Sequence, residues 1–313
     1  MSAAAVPLFL TSGDAAVDRR LDWARALLNE GNAADAAALL AEAGERAPEF
    51  LPLWFLLGEA RAATGDVAGA TEAFRRALAL DPEDRLGAGA QLARLAPAQK
   101  GGAGLSAGYV RTLFDQYATR FDAALARLDY RGPELIAAAL EQACARLGRE
   151  VVFAHGVDLG CGTGLVGVRL APQVGRLSGV DLSPNMIALA KERGLYDELA
   201  VGDMVAFLVG RPAGDADLVF AGDAFCYLDD LAPVLAESRR VLEPGGLLAF
   251  TVETHAGPGV LLRDTLRYAH AQAYVRSVLA DEGFELLLCE AASTRTEKGE
   301  PVPGLVLAAR RGA

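Results

Sequence analysis

The chain has 313 residues, 52% of them hydrophobic, and carries 30 lysines and arginines against 41 acids for a formal net charge of −11. That length suits two domains with a sizeable core and no need of disulfides, while the acidic balance argues against gripping nucleic-acid backbones, which takes a basic surface. Cys144, Cys161, Cys226 and Cys289 form no Cys-x-x-Cys pair and no Cys/His cluster, so the expectation is reduced thiols in a cytoplasmic protein and no metal site.

Residues 1–16 read as an N-terminal tail. Met1 to Leu10 has neither a basic region nor a long apolar stretch, so it makes a poor signal peptide. No segment of the chain reaches the length and apolarity of a membrane span. Residues 17–96 read as helical repeats. Gly31 matches Gly65, Ala36 matches Ala70, Leu40 matches Phe74, Ala43 matches Ala77 and Pro48 matches Pro82, each 34 positions apart. The second copy is fuller, with Trp54, Leu57 and Gly58 ahead of Gly65; the first has Trp23 where leucine is expected. Small residues let paired helices approach, large ones fill the gap, and proline stops the second helix. The pattern resembles the tetratricopeptide repeat. A helical stretch from Arg85 to Leu95 would cap the stack. Two repeats and a cap fall short of a free-standing array, so two readings stand: a surface that recruits a protein partner, or a structural or self-associating appendage.

Residues 97–108 are glycine-dense and aperiodic and read as a linker. Residues 109–150 read as a helical lid or cap. Leu113, Phe114, Tyr117, Phe121, Leu125 and Leu128 recur at helical spacing, and Arg131-Gly-Pro133-Glu134 opens a further helix that runs to about Arg146. On spacing alone this is an amphipathic helix with core aromatics.

From Val151 the texture becomes that of a parallel α/β sheet: runs at Val151–Leu159, Leu177–Asp181, Glu198–Val201, Ala216–Ala221 and Gly246–Val252 alternate with helical stretches. From Gly283 to Arg310 the pattern is a strand, a polar turn at Lys298-Gly299 and a last strand, which suits an antiparallel sixth and seventh strand. In such sheets ligands sit at the C-terminal strand ends. The first run ends in Asp158-Leu-Gly160-Cys-Gly162-Thr-Gly164, a turn that a ligand can approach closely. No Gly-Lys pair exists for a Walker A loop, and none of Lys100, Lys191 and Lys298 has a tyrosine four residues before it, as a short-chain dehydrogenase requires. The second run ends at Asp181-Leu182, about 20 residues on, where an acid can hold two ribose hydroxyls. The third ends at Asp203-Met204, an acid for an adenine amino group and a thioether for its ring. The fourth ends at Asp223.

These elements, in this order, are similar to those of class I S-adenosylmethionine-dependent methyltransferases. With the repeats in front, the chain resembles the bacterial tetratricopeptide-containing members of that group. The resemblance implies an α/β, Rossmann-like seven-stranded domain over 151–313, preceded by an all-α repeat domain. It implies S-adenosylmethionine as cofactor and S-adenosylhomocysteine as product. Gly160, Gly162 and Gly164 would pass under the methionine and sugar, Asp158 would bound the methionine pocket, and Asp181 would hold the ribose. Asp203 and Met204 would meet the adenine, and Asp223 would lie near the amino-acid end. The segment from Phe114 to Asp122 resembles the F-D-x-Y-A-x-x-F-D lid of the family, so Tyr109, Phe114 and Tyr117 would close over the cofactor. Tyr227 and His270 are the catalytic candidates, with His255, Arg267 and Tyr268 on the substrate side; Arg267 to Val275 resembles the matching region of the repeat-containing group. The expected reaction is methyl transfer to a small molecule, at oxygen or carboxylate, with no nucleic-acid or membrane partner. A protein acceptor recruited by the repeats, and a non-catalytic cofactor-binding module, are the alternatives.

Overall fold

The computed structural model describes residues 11–95 and 104–312. Residues 1–10 and most of the glycine-dense linker therefore lie outside the described residues. The chain divides into two compact units, one ending at Gln116 and the other beginning at Tyr117.

The first unit is a row of helices: α1 (Ala15–Asn29), α2 (Ala33–Arg46), α3 (Leu51–Ala63), α4 (Val67–Leu80), α5 (Ala88–Leu95) and α6 (Ala107–Tyr117). Ala36, Leu40 and Ala43 of α2 and Ala70, Phe74 and Ala77 of α4 occupy matching buried positions. Gly58 brings α3 against α4, since a Cβ there would stand 2.6 Å from the Phe74 ring. Trp54 is only partly buried, and its indole donates to the Pro48 carbonyl at 2.8 Å. Trp23 is 62% exposed, so it takes no part in the core. The cap helix starts at Ala88 rather than Arg85, because Asp84 turns the chain there with φ +54° and its carboxylate accepts the Gly89 N–H.

The second unit begins with a helical entry. The stretch from Tyr109 to Leu128, one amphipathic helix by its spacing, is broken: α6 stops at Tyr117, a tight turn covers Ala118–Arg120, and α7 spans Phe121–Arg127. Helix α8 (Gly132–Arg146) leads to β1 (Phe153–Leu159), followed by α9 (Leu165–Leu170), β2 (Val174–Asp181), α10 (Pro184–Glu192) and β3 (Glu198–Val201). Then come α11 (Met204–Val209), β4 (Ala216–Ala221), α12 (Ala232–Val241), β5 (Leu242–Glu253) and a short hairpin, β6 (Val260–Leu262) with β7 (Tyr268–His270). Helix α13 (Gln272–Asp281) precedes β8 (Phe284–Ala292), a small ribbon of β9 (Thr296–Glu297) and β10 (Glu300–Pro301), and β11 (Gly304–Arg311).

The main sheet runs β3-β2-β1-β4-β5-β11-β8, with β7 also pairing β5. Strands β3, β2, β1, β4 and β5 are parallel; β11 is antiparallel to both β5 and β8. The order reverses between β1 and β4, which opens a crevice at their C-terminal ends. Both faces are covered, so β5 is apolar on both sides from Leu247 to Phe250. One face packs Val157, Leu159, Val219 and Phe250 with α12 and α13; the other packs Phe153, Phe220 and Ala249 with α8 and α9. The β6–β7 hairpin was not legible in the alternation, because two three-residue strands leave too short a pattern.

Candidate active site

The turn after β1 is shaped by backbone that side chains would forbid. Gly160, Gly162 and Gly164 have φ of +68°, +56° and +87°. At Gly160 a Cβ would also lie 2.5 Å from Ala224 Cβ, so glycine is needed there twice over. Met204 lies beside the same turn, its methyl carbon 3.8 Å from that Cβ position.

Asp181 ends β2 next to this turn. Its Oδ2 accepts the Gly162 N–H at 2.9 Å and its Oδ1 the Ser183 N–H at 2.8 Å. The carboxylate thus fixes the glycine turn and the start of α10, with Leu182 half-buried between them. Asp203 is exposed at the end of β3, where its Oδ1 caps α11 through the Ala206 N–H.

Asp158 is 1% exposed at the end of β1, and Tyr196 donates to its Oδ2 at 2.7 Å. Burial pushes this carboxyl up to about 7; the Tyr196 hydrogen bond lowers it and the Asp181 charge raises it.

Of the lid aromatics, Tyr117 is 41% exposed and meets Phe121 edge-to-face at 6.4 Å. Phe121 itself reaches the glycine turn, 3.8 Å from a Cβ position on Gly162. Its neighbour Asp122 clamps that turn: Oδ1 accepts from the Thr163 hydroxyl at 2.6 Å and Oδ2 from Arg193 at 2.6 Å, while Arg193 Nε donates to the Thr163 carbonyl. Tyr109 packs within the first unit, over Gly87. Phe114 belongs to α6 in the same unit.

Past β4 and β5 lies a buried set of charges. Arg295, whose side chain is 1% exposed, donates to Asp223 at 2.7 Å, to Glu253 at 2.5 Å and to Glu297 at 2.7 Å. Arg263 donates to Glu253 at 2.9 Å. Thr294 donates to Asp223 Oδ1 at 2.8 Å, and the Asp223 N–H reaches the Thr251 hydroxyl at 2.8 Å. These contacts hold Asp223 at φ +57°, a strained conformation that persists only when its surroundings over-determine it. The Asp223 carboxylate is therefore committed to Arg295 and Thr294. Burial still raises its pKa, against the Arg267 charge and the Thr294 hydrogen bond.

Arg267 stacks over Tyr227, 5.7 Å from the ring centroid, and its Nε donates to the phenol oxygen at 3.0 Å. Tyr268 is 7% exposed and belongs to the core. His255 is taken up by its own loop: Nδ1 accepts the Gly257 N–H and Nε2 faces the Gly259 carbonyl. His270, expected as a catalytic residue, lies in the core. It is 0% exposed, its Nε2 bonds the Leu228 carbonyl at 2.9 Å, and its ring stacks on Tyr274. Burial lowers its pKa to about 4. The imidazole is therefore held neutral with no exposed surface, and its Nδ1 is buried without a hydrogen-bond partner among the described residues.

The turn therefore gathers Asp158, Asp181, Met204 and Phe121, while Tyr227 and Arg267 stand together after β4. Sequence reasoning passed over Phe121 and Asp122 as site residues, although both lie in the quoted lid segment. Nothing local marks Tyr196, Arg193 or Arg295, which arrive from other parts of the chain. Among the described residues no group of three or more His, Cys, Asp or Glu is placed to hold a metal ion, and no helix is long and apolar enough to cross a membrane.

The arrangement fits an S-adenosyl cofactor on its own geometry: a side-chain-free turn, an acid fixed at the end of β2, and an acid and thioether after β3. Residues 157–250 match the family model of a methyltransferase domain, and residues 52–84 that of a tetratricopeptide repeat. Methyltransferase-like protein 27 of Homo sapiens is 34% identical over 145 residues, which cover 46% of this chain and 57% of that protein. A malonyl-[acyl-carrier protein] O-methyltransferase of Hahella chejuensis is 43% identical over 97 residues, covering 29% of this chain and 34% of that protein. The chain thus spans less than two thirds of these curated relatives. The [4+2]-cyclase SpnF superposes with a TM-score of 0.54 at 20% identity, over 67% of this chain and 98% of that one, a likeness of fold alone. By motif order, sheet order and domain match, the chain carries a tetratricopeptide repeat and a class I, S-adenosylmethionine-dependent methyltransferase domain.

Proposed function

We propose that this chain transfers a methyl group from S-adenosylmethionine to a small-molecule acceptor at oxygen, with a carboxylate favoured. The observation that carries the reading is the glycine turn locked to Asp181 at the crevice between β1 and β4. When bound, the cofactor supplies an electrophilic methyl group on a cationic sulfonium. The protein has to align the acceptor with that methyl and keep water out. Phe121 and the Asp122 clamp cover the turn. Tyr227, Arg267 and Arg263 stand on the acceptor side, and guanidinium and phenol groups suit acceptor oxygens. A carboxylate is already ionised and needs no base, which agrees with a withdrawn His270. Several relatives are named malonyl-[acyl-carrier protein] O-methyltransferase and one trans-aconitate 2-methyltransferase. The four free cysteines suit a reducing, cytoplasmic setting.

The test is mass spectrometry of reactions containing the full chain, S-adenosylmethionine and a panel of carboxylic acids and their thioesters. A methyl ester formed together with S-adenosylhomocysteine supports the reading. Label appearing only on proteins of an added extract would replace it with the second reading, a protein acceptor recruited by the repeats, which the match at residues 52–84 favours. Cofactor binding with no turnover on any acceptor would leave a binding module.

A further inference from the structure

The crevice holds one more group that neither the motifs nor the clamp accounts for. Tyr130 lies between α7 and α8, and its ring folds back over Gly132, where a Cβ would stand 2.2 Å from the hydroxyl. The hydroxyl is 3.4 Å from a Cβ position on Gly222, the residue after β4. It therefore sits at the switch point, at the C-terminal end of β4.

The segment that carries it is fixed. Thr296 N–H donates to the Leu128 carbonyl at 2.8 Å and Arg131 N–H to the Thr294 carbonyl at 2.7 Å. The loop on the other side of these bonds also supplies Arg295 to Asp223. Among the described residues the Tyr130 hydroxyl has no hydrogen-bond partner. Burial, with the Asp223 and Asp158 charges, pushes its pKa well above the ordinary value. The phenol thus keeps its proton and can act as a donor.

The cofactor's path says what would receive that proton. With adenine at Asp203 and Met204 and ribose at Asp181, the nucleoside end lies over β3 and β2. The amino-acid end must then reach β1 and β4. It brings an ammonium, which Asp158 suits, and a carboxylate, which an ionised Asp158 repels and which needs a donor of its own. A fixed donor at the C-terminal end of β4 gives that carboxylate a partner. We propose that the Tyr130 hydroxyl hydrogen-bonds the amino-acid carboxylate of the bound S-adenosyl cofactor. The inference rests on the cofactor reading above.

The test compares two ligands by isothermal titration of the full chain: S-adenosylhomocysteine, and 5′-methylthioadenosine, which has the same nucleoside and thioether but no amino-acid group. Tyr130→Phe should bind S-adenosylhomocysteine about tenfold more weakly, the size of one hydrogen bond to a charged group. Its affinity for 5′-methylthioadenosine should equal that of the unmodified protein, which also shows that the pocket is intact. Equal losses for both ligands, or no loss for either, would overturn the proposal. Unmodified protein that binds neither ligand would overturn the cofactor reading and this inference with it, a result distinct from any specific to the variant.

Discussion

Replacing Asp181 with alanine separates the two tasks its carboxylate performs. One is internal: both oxygens accept backbone N–H groups, from Gly162 at 2.9 Å and Ser183 at 2.8 Å. Gly162 is half-buried, so water can reach its freed amide, whereas the Ser183 position is buried. An unsatisfied amide costs about 1–3 kcal/mol. For a domain of this size that lowers Tm by roughly 2–4 °C per kcal/mol. The other task is the ribose. A charge-assisted hydrogen bond to a hydroxyl is worth about 1.5–3 kcal/mol, so affinity for S-adenosylhomocysteine should fall by roughly 10- to 100-fold. Calorimetry on Asp181→Ala, paired with a thermal melt, reads both. A 2′-deoxy analogue of the ligand completes a cycle: the unmodified protein should discriminate against it, and the variant should lose that discrimination. A lower Tm with affinity unchanged within twofold would refute the ribose role and leave Asp181 as a purely structural brace.

Asp158 makes cofactor binding pH-dependent. Its folded pKa of about 7 lies above the ordinary 3.8, so the ionised carboxylate destabilises the empty fold: this group's contribution falls as pH rises from about 4 to about 7 and is flat beyond. The cationic cofactor prefers the ionised form, so calorimetric affinity for S-adenosylmethionine should drop by up to tenfold per pH unit below about 7. Tyr196→Phe removes the bond that lowers this pKa and should move the break to higher pH; a profile flat between about pH 5.5 and 8.5 would disprove the assignment. Gly160→Ala must accommodate a positive φ and a 2.5 Å contact with Ala224, so a loss of about 2–3 kcal/mol in urea unfolding is expected, along with cofactor binding. Arg295→Met leaves Asp223 and Glu253 without their buried partner and should cost about 3–5 kcal/mol. Part of that loss should be regained as pH falls and the two acids take up protons, which urea titrations at two pH values will show. His270→Gln should keep a donor to the Leu228 carbonyl and change kcat by less than about threefold; a loss of 100-fold or more would restore its role as a base.

Much of this protein was legible in the chain order of its residues. The repeat was visible because Gly31 and Gly65, Leu40 and Phe74, and Pro48 and Pro82 recur at one period, and repeat packing is local. The sheet was visible because strands covered on both faces read as apolar runs. Asp158 with the three glycines, Asp181 and Asp203 stood out because each group lies at the end of its own strand, a constraint that lies in neighbouring residues. Tertiary structure alone decided the rest. It withdrew His270 into the core, committed Asp223 to Arg295, brought Phe121 and Asp122 onto the glycine turn, and set Tyr196 beside Asp158. Those contacts join residues 38 to 72 positions apart, such as Tyr196 with Asp158 and Arg295 with Asp223. No periodicity or motif encodes such a pairing, because it forms only when the strands stack in an order different from their order along the chain.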